Sequence, residues 1–466
     1  MRNGKRITAL ALAFLMMFSV AADHMLTVRA EETEGIAGST EAGQTTVEIT
    51  DEEGNAIVCT LYSAAKSMTE DEKAAVTDWG IATPEDWLAA LEDSNTVTNA
   101  FPAKTLHLAA DIDMNNQQMK PLAYGGTFAG TLDGHGHVFQ NILIEETISG
   151  TTPVGLIGTI AATGVVQNLG IESGKVTVTN YTYSSDNQGI GAVAGASNSG
   201  SVVIHCWNGA DVILEKASKN ASISGLVGRC SGTIDGCYNI GNVLNLVNNR
   251  AAGLNDWAGT AGYAYNSFHA GTISGNSSGT NSGLYVLRYN TSASIKYANV
   301  YGIETTLTNL TKEDTSSYNI FQDAYSCGEL AYKLNTGYVE GKGTQTYYTL
   351  EYSSEGNKTV FGTYKNQVRK LTLTTRNAAG ATESTEDVYV PAGTTYSLPA
   401  GSYQVTEGEG NVTIGEDGTF ELPTVDVAIT ITLSGLSTNL LEAQLARYEG
   451  KNTKYFQNSE TLTALI

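Results

Sequence analysis

Aspartate and two histidines alternate with glycine at Asp133-Gly134-His135-Gly136-His137. A carboxylate and imidazoles this close could move protons, the task of general acid–base groups. The same letters spell a tight turn, in which Asp and Gly supply the backbone conformations and the histidines face solvent. Just upstream, Asp111, Asp113 and Asn115 alternate, so their oxygens could share one face and hold Ca²⁺. A calcium loop also needs a bidentate acid and a glycine turn at fixed spacing. Neither is there, and hydrogen bonding at a strand end accounts for the acids without a metal. Tyrosine is abundant, at 24 residues. Tyr181, Tyr183, Trp257, Tyr263 and Tyr265 fall in expected loops or exposed strand faces beside Asn and Gly, as on a glycan-binding surface where sugar C–H faces pack on rings. The competing expectation is that such rings cover the outside of a stack or fill its corners. No Cys-x-x-Cys or His-Glu-x-x-His zinc spacing occurs. Without a convergent acid, base, nucleophile or metal set, the expectation is a non-enzymatic chain with no cofactor.

The elements that must position these residues repeat. A Gly-apolar unit recurs at Gly155-Leu156, Gly191-Ala192, Gly225-Leu226, Gly253-Leu254 and Gly283-Leu284, with starts 36, 34, 28 and 30 residues apart. A second unit follows in step: Cys206-Trp207-Asn208-Gly209, Cys237-Tyr238-Asn239-Ile240-Gly241 and Ser267-Phe268-His269-Ala270-Gly271. Two units recurring in register predict one short β unit stacked on about five copies of itself. Equivalent side chains then lie over one another about 4.8 Å apart. Val176, Val212, Val243 and Ile273 form one expected column, and Leu156, Ala192, Leu226, Leu254 and Leu284 another. Cys206 and Cys237 read as small inward-facing core residues on adjacent coils, with a disulfide between them left open.

Upstream, Thr69 to Glu72 and Thr83-Pro84-Glu85-Asp86 predict capped helix starts. Trp87, Leu88 and Leu91 give the second helix an apolar face. Thr105 to Leu108 and Asp111 to Met114 alternate as strands, and Phe128 to Phe139 reads as strand–turn–strand with Asp-Gly at the bend. The Asp111-Ile112-Asp113 strand, the Gly130-Thr131-Leu132-Asp133-Gly134-His135-Gly136-His137 run and the glycine–leucine repeats ending in Cys-Tyr-Asn-x-Gly-x-Val resemble the GLUG-repeat proteins secreted by Gram-positive anaerobes. The similarity covers about residues 75–340 and closes on Ser326-Cys327-Gly328-Glu329-Leu330-Ala331-Tyr332-Lys333-Leu334-Asn335. It implies a right-handed parallel β-solenoid on a cell-surface protein and implies no catalysis. Gly134-His135-Gly136 also resembles a fragment of pectin-degrading β-helix hydrolases. Their companion Asn-Thr-Asp, Asp-Asp and Arg-x-Lys elements are missing.

The chain divides by pattern. Residues 1–30 read as a secretory signal peptide, with Arg2, Lys5 and Arg6 before the apolar Ile7–Ala22 stretch and Val28-Arg29-Ala30 as cleavage site. Residues 31–45 form a disordered acidic linker, 46–145 an N-terminal helical and β cap, 146–345 the solenoid and 346–365 a connector. Alternating runs and turn signals over 366–435 predict a small antiparallel β-sandwich resembling immunoglobulin-like modules. Residues 436–466 form a short helical tail faintly similar to FIVAR modules, and the pattern suggests that the chain continues past Ile466.

Lys and Arg number 26 against 48 Asp and Glu, a formal net charge of −22. Such a surface repels phosphate backbones and anionic lipid, which argues against nucleic-acid and peripheral-membrane roles, and no membrane insertion is expected once the signal is removed. The expected function is therefore a secreted or surface-displayed solenoid presenting a β face for adhesion to an extracellular glycan, host or cell-wall surface. The alternative is the non-catalytic accessory region of a larger secreted glycoside hydrolase or surface peptidase.

Overall fold

A computed structural model describes residues 45–51, 54–182, 189–217, 221–247, 250–258, 262–275, 283–287, 296–303, 319–321, 327–344, 348–353, 356–361, 368–408 and 410–433. The expected signal peptide, most of the acidic linker, the helical tail and Tyr183 lie outside the described residues. The described part is mainly β.

From residue 78 onward, successive chain segments pair side by side in parallel. On one face Asp78–Ile81, Thr105–Leu108, Thr131–Asp133, Val165–Gln167, Val202–Ile204, Thr233–Asp235 and Tyr263–His269 follow in that order. After a corner, a second row runs through Ile112–Asp113, Val138–Gln140, Gly170–Ile171, Trp207–Asn208, Tyr238–Asn239 and again Tyr263–His269. A five-stranded sheet holds Ile142–Ile148, Gly174–Tyr181, Asp211–Leu214, Val243–Asn245 and Ile273–Gly275. A seven-stranded sheet runs from Asn99–Ala100 to Gly283–Leu287.

The register places Val176 opposite Val212, Val212 opposite Val243 and Val243 opposite Ile273, all fully buried. Each such side chain stabilises the stack by about 1.5–3 kcal/mol relative to exposure. Cys206 and Cys237 are buried, free thiols. Cys206 N–H donates to Cys237 Sγ at 3.3 Å, and each thiol points at the carbonyl two residues back, Ile204 or Asp235, at 3.2 Å. The leucine column departs from expectation at two rungs: the register that joins Ile157, Ala194 and Val227 sets Val193 rather than Ala192 between Leu156 and Leu226, and Leu284 lies opposite Ala251 rather than Leu254, because the register shifts between Ala252 and Asn255.

The two sequence repeats depend on one another. Asn208 Nδ2 donates to Asn239 Oδ1 at 2.8 Å, and Asn239 Nδ2 lies 3.0 Å from His269 Nδ1. This buried amide column occupies the space where glycines of the Gly-apolar unit would carry a side chain. A Cβ on Gly225 would collide with the Asn239 amide, and one on Gly253 with the His269 ring. Outside it, Trp207, Tyr238 and Phe268 stack with centroids 5.7 and 4.9 Å apart and nearly parallel planes. Leu330, Ala331 and Leu334 of the helix Cys327–Thr336 pack on that aromatic column.

Both predicted N-terminal caps are present. Thr69 opens Glu70–Ala75 and Thr83 opens Pro84–Ser94, each with a reciprocal capping box. Trp87 is fully buried against Phe139, with ring centroids 4.7 Å apart. The C-terminal sheet differs from the antiparallel expectation. Val368–Arg376 pairs antiparallel with Thr382–Pro391 but parallel with Val427–Thr432, so the sheet is mixed. Strand Ser402–Glu407 then joins antiparallel to Val427–Thr432. The expected connector contains an antiparallel pair, Tyr348–Ser353 with Gly356–Phe361.

Candidate functional site

Asp133, His135 and His107 come together at the corner between the first two rows. His107 lies on Thr105–Leu108 directly opposite Asp133 in the parallel register. Later strands of the two rows are joined at this corner by a single left-handed residue, Asn168 (φ 53°), His205 (φ 52°), Gly236 (φ 59°) or Asn266 (φ 49°). The coil at Asp133 takes four residues, 134–137, to reach Val138. Asp133 Oδ1 accepts from the backbone N–H of His135 at 3.0 Å, an Asx turn that supports His135 at φ 48°. The imidazole thus folds back over the sheet instead of following the register.

His135 Nε2 lies 2.8 Å from His107 Nδ1, with the rings 5.1 Å apart and inclined by 25°. His107 Nε2 lies 3.1 Å from Asp78 Oδ1. A carboxylate only accepts, so His107 carries its proton on Nε2 and turns the Nδ1 lone pair toward His135. Burial opposes ionisation of Asp78, but hydrogen bonds from Thr77 and His107 outweigh it and hold its carboxyl below the ordinary value. Asp133 is fixed from the next coil: Gln167 Nε2 donates to its Oδ2 at 2.6 Å and Asn168 Nδ2 to its Oδ1 at 3.2 Å. One ligating atom each from His107, Asp133 and His135 lies within 4.8 Å of the others. The side chains of all three are close to nine-tenths buried.

The solvent-facing histidine expected at position 135 is therefore corrected. Its side chain is only 10% exposed, because the Asx turn returns it onto His107. In the sequence His107 reads as an ordinary strand residue. The signal was its register opposite Asp133, which no local motif carries.

The alternative reading of Asp111, Asp113 and Asn115 as a calcium trio finds no convergence of the three side chains. Asp111 binds His137 Nδ1 at 3.0 Å and the Val138 N–H at 3.1 Å. Asp113 accepts from Asn115 N–H at 2.8 Å and from Asn141 Nδ2 at 2.9 Å. These are hydrogen-bond caps, with the backbone of Asn115 itself as donor.

The aromatic patch is also revised. Tyr181 is fully buried and Tyr265 nearly so. A register shift where Glu146 and Thr147 face Val178 and Asn180 leaves Thr179 as an extra residue. One extra residue reverses side-chain parity, which turns Tyr181 inward. Tyr263 is half-buried with its ring 5.9 Å from that of Tyr265. Trp257 lies in strand Arg250–Ala258, and its side chain is outside the described residues.

A second polar corner forms at Asp235. Its Oδ1 accepts from Asn266 Nδ2 at 2.9 Å and its Oδ2 from the Thr344 N–H at 2.5 Å. Burial pushes the Asp235 carboxyl up against these bonds, and burial pushes the His205 imidazole down against the attraction of Asp235. These contacts tie the segment after the helix Cys327–Thr336 to the stack. Among the described residues no helix is long and apolar enough to cross a membrane.

No family model matches the chain, and no solved structure matches it significantly. A stretch of 75 residues is 33% identical to halomucin of Haloquadratum walsbyi, covering 16% of this chain and 1% of that protein. The match therefore spans a very small part of that relative's length.

Proposed function

We propose that this chain is a secreted or surface-displayed, non-enzymatic β-solenoid protein of GLUG-repeat kind. Its parallel coils would wind right-handed, as crossover connections between parallel strands overwhelmingly do. A small sandwich of immunoglobulin-like kind would follow as a spacer. The observation that carries this reading is the unbroken register of the column Val176, Val212, Val243 and Ile273. That register makes the opposite face of the same sheet a regular surface. Glu145 and Lys175 are exposed there, and Asp211, Ile213, Asn242 and Leu244 are half-buried. Mixed charge, amide and aliphatic groups at strand spacing suit an extracellular glycan or wall polymer. The buried tyrosines do not contribute, so the binding face moves from the aromatic patch to this sheet. The short similarity to halomucin adds nothing to the choice of ligand.

The test is a glycan array and a cell-wall pulldown with the whole chain, beside a Lys175→Glu/Ile213→Asp variant checked by circular dichroism. Binding that the folded variant loses supports the proposal. Absence of binding to every glycan and wall preparation removes the adhesive half of it.

A further inference from the structure

We propose that His107, His135 and Asp133 form a site for one divalent transition-metal ion of the zinc class, a property independent of any adhesive role. Two imidazoles and one carboxylate are the donor set that Zn²⁺ and Co²⁺ take, whereas Ca²⁺ and Mg²⁺ prefer all-oxygen sites. Two of the three ligands are already aimed. Asp78 accepts a hydrogen bond from His107 Nε2–H, which directs the Nδ1 lone pair into the cluster. That is the carboxylate–imidazole arrangement that orients metal-bound histidines. Gln167 and Asn168, donated from the next coil, hold the Asp133 carboxylate in the same way.

The geometry needs one small adjustment. Zn–N bonds of about 2.05 Å at a tetrahedral angle separate two nitrogens by about 3.3 Å. His107 Nδ1 and His135 Nε2 lie 2.8 Å apart. His107 is fixed on a strand by Asp78, so His135, on its turn, moves outward by about 0.5 Å to reach that separation. The ion takes the place of the hydrogen shared between the rings, and His135 then carries its proton on Nδ1. Three protein ligands leave a fourth position for water or a ligand atom.

The experiment is calorimetric titration of the tag-free whole chain with ZnCl₂, CoCl₂ and CaCl₂, with the visible spectrum of the Co²⁺ form recorded. The expected result is one Zn²⁺ or Co²⁺ per chain, an intense tetrahedral Co²⁺ band and no matching Ca²⁺ uptake. His135→Asn keeps a residue that tolerates the left-handed turn and should weaken Zn²⁺ binding at least 100-fold. His107→Gln is the second variant, should the first misfold. Asp78→Asn should weaken binding about 10- to 100-fold, and His137→Asn, outside the cluster, should leave it unchanged. No stoichiometric Zn²⁺, equal affinity in His135→Asn and His107→Gln, or loss in His137→Asn each overturns the proposal.

Discussion

Acid should loosen the stack through His269, and the size of the effect follows from its burial. His269 continues the amide column of Asn208 and Asn239 and is completely enclosed. Its Nδ1 faces Asn239 Nδ2, so the proton sits on Nε2, which has no hydrogen-bond partner. Burial pushes this imidazole down to about 3 from an ordinary 6.5. Between those values the unfolded chain holds a proton that the folded chain refuses. Stability is therefore complete above pH 6.5 and is lost as the pH falls toward 3. From pH 7 to pH 5 the loss from this group is about 2 kcal/mol. His205, also pushed down by burial, adds in the same direction, while Asp235, pushed up, opposes it. His269→Asn isolates the term, since the other two groups remain. An asparagine there can accept from Asn239 and removes the stranded Nε2–H, whose desolvation costs about 1–3 kcal/mol; the smaller side chain offsets part of that gain. The assay is urea unfolding of both proteins at pH 7 and pH 5, followed by tryptophan fluorescence. The wild type should lose about 2 kcal/mol more than the variant between the two conditions. Equal losses would refute the argument.

Three further outcomes are expected. Gly225→Ala should cost about 3 kcal/mol or more by urea unfolding, because a Cβ there strikes the Asn239 amide and the Gly253 carbonyl; Gly150→Ala, with open space around its Cβ, should stay within about 0.5 kcal/mol of wild type. Thr83→Ala removes the hydroxyl that accepts from the Asp86 N–H and donates to the Asp86 carboxylate, while the backbone N–H of residue 83 still donates to that carboxylate, and should lower stability by about 1 kcal/mol. The buried thiols Cys206 and Cys237 should resist alkylation in the folded chain and react fully in denaturant, as read by peptide mass spectrometry; labelling of either in the native state contradicts their placement.

The parts of the fold that were legible are those in which the sequence period and the spacing between paired strands coincide. The valine and isoleucine column, the Cys206–Cys237 rung and both capped helices follow from spacing alone. The corner cluster did not, because it joins residues through register across coils of unequal length. His107 and Asp133 are 26 residues apart, whereas Gln167 and Ile204, farther along the same column, are 37 apart. His135 then leaves the register altogether, held by an Asx turn. Tyr181 was misplaced for a related reason, since one extra residue at Thr179 reverses the parity that alternation assumes. Leu284 failed where the last described rung of its sheet slips against Ala252. In each case the local pattern crosses an insertion that only the neighbouring strand reveals.

Parallel stacking also decides which polar residues can follow one another, and this gives a test on the exposed face. Adjacent rungs stand about 4.8 Å apart, so a charged residue always meets its counterpart above and below. The pairs observed are complementary: Gln167 on Asp133, Asn266 on Asp235, Asn242 on Asp211. Asn242 Nδ2 donates to Asp211 Oδ1 at 2.8 Å on the solvent side of the five-stranded sheet. Asn242→Asp replaces that donor with a like charge at the same rung. It should cost about 1–2 kcal/mol in low salt, from the lost bond to a carboxylate and from repulsion between neighbours. Asn242→Lys restores an opposite charge and should remain within about 0.5 kcal/mol of wild type. Raising salt should narrow the gap between the two variants, as screening requires. If the aspartate and lysine variants unfold at the same urea concentration, Asp211 and Asn242 do not face each other across neighbouring coils, and the register of the whole sheet would have to be redrawn.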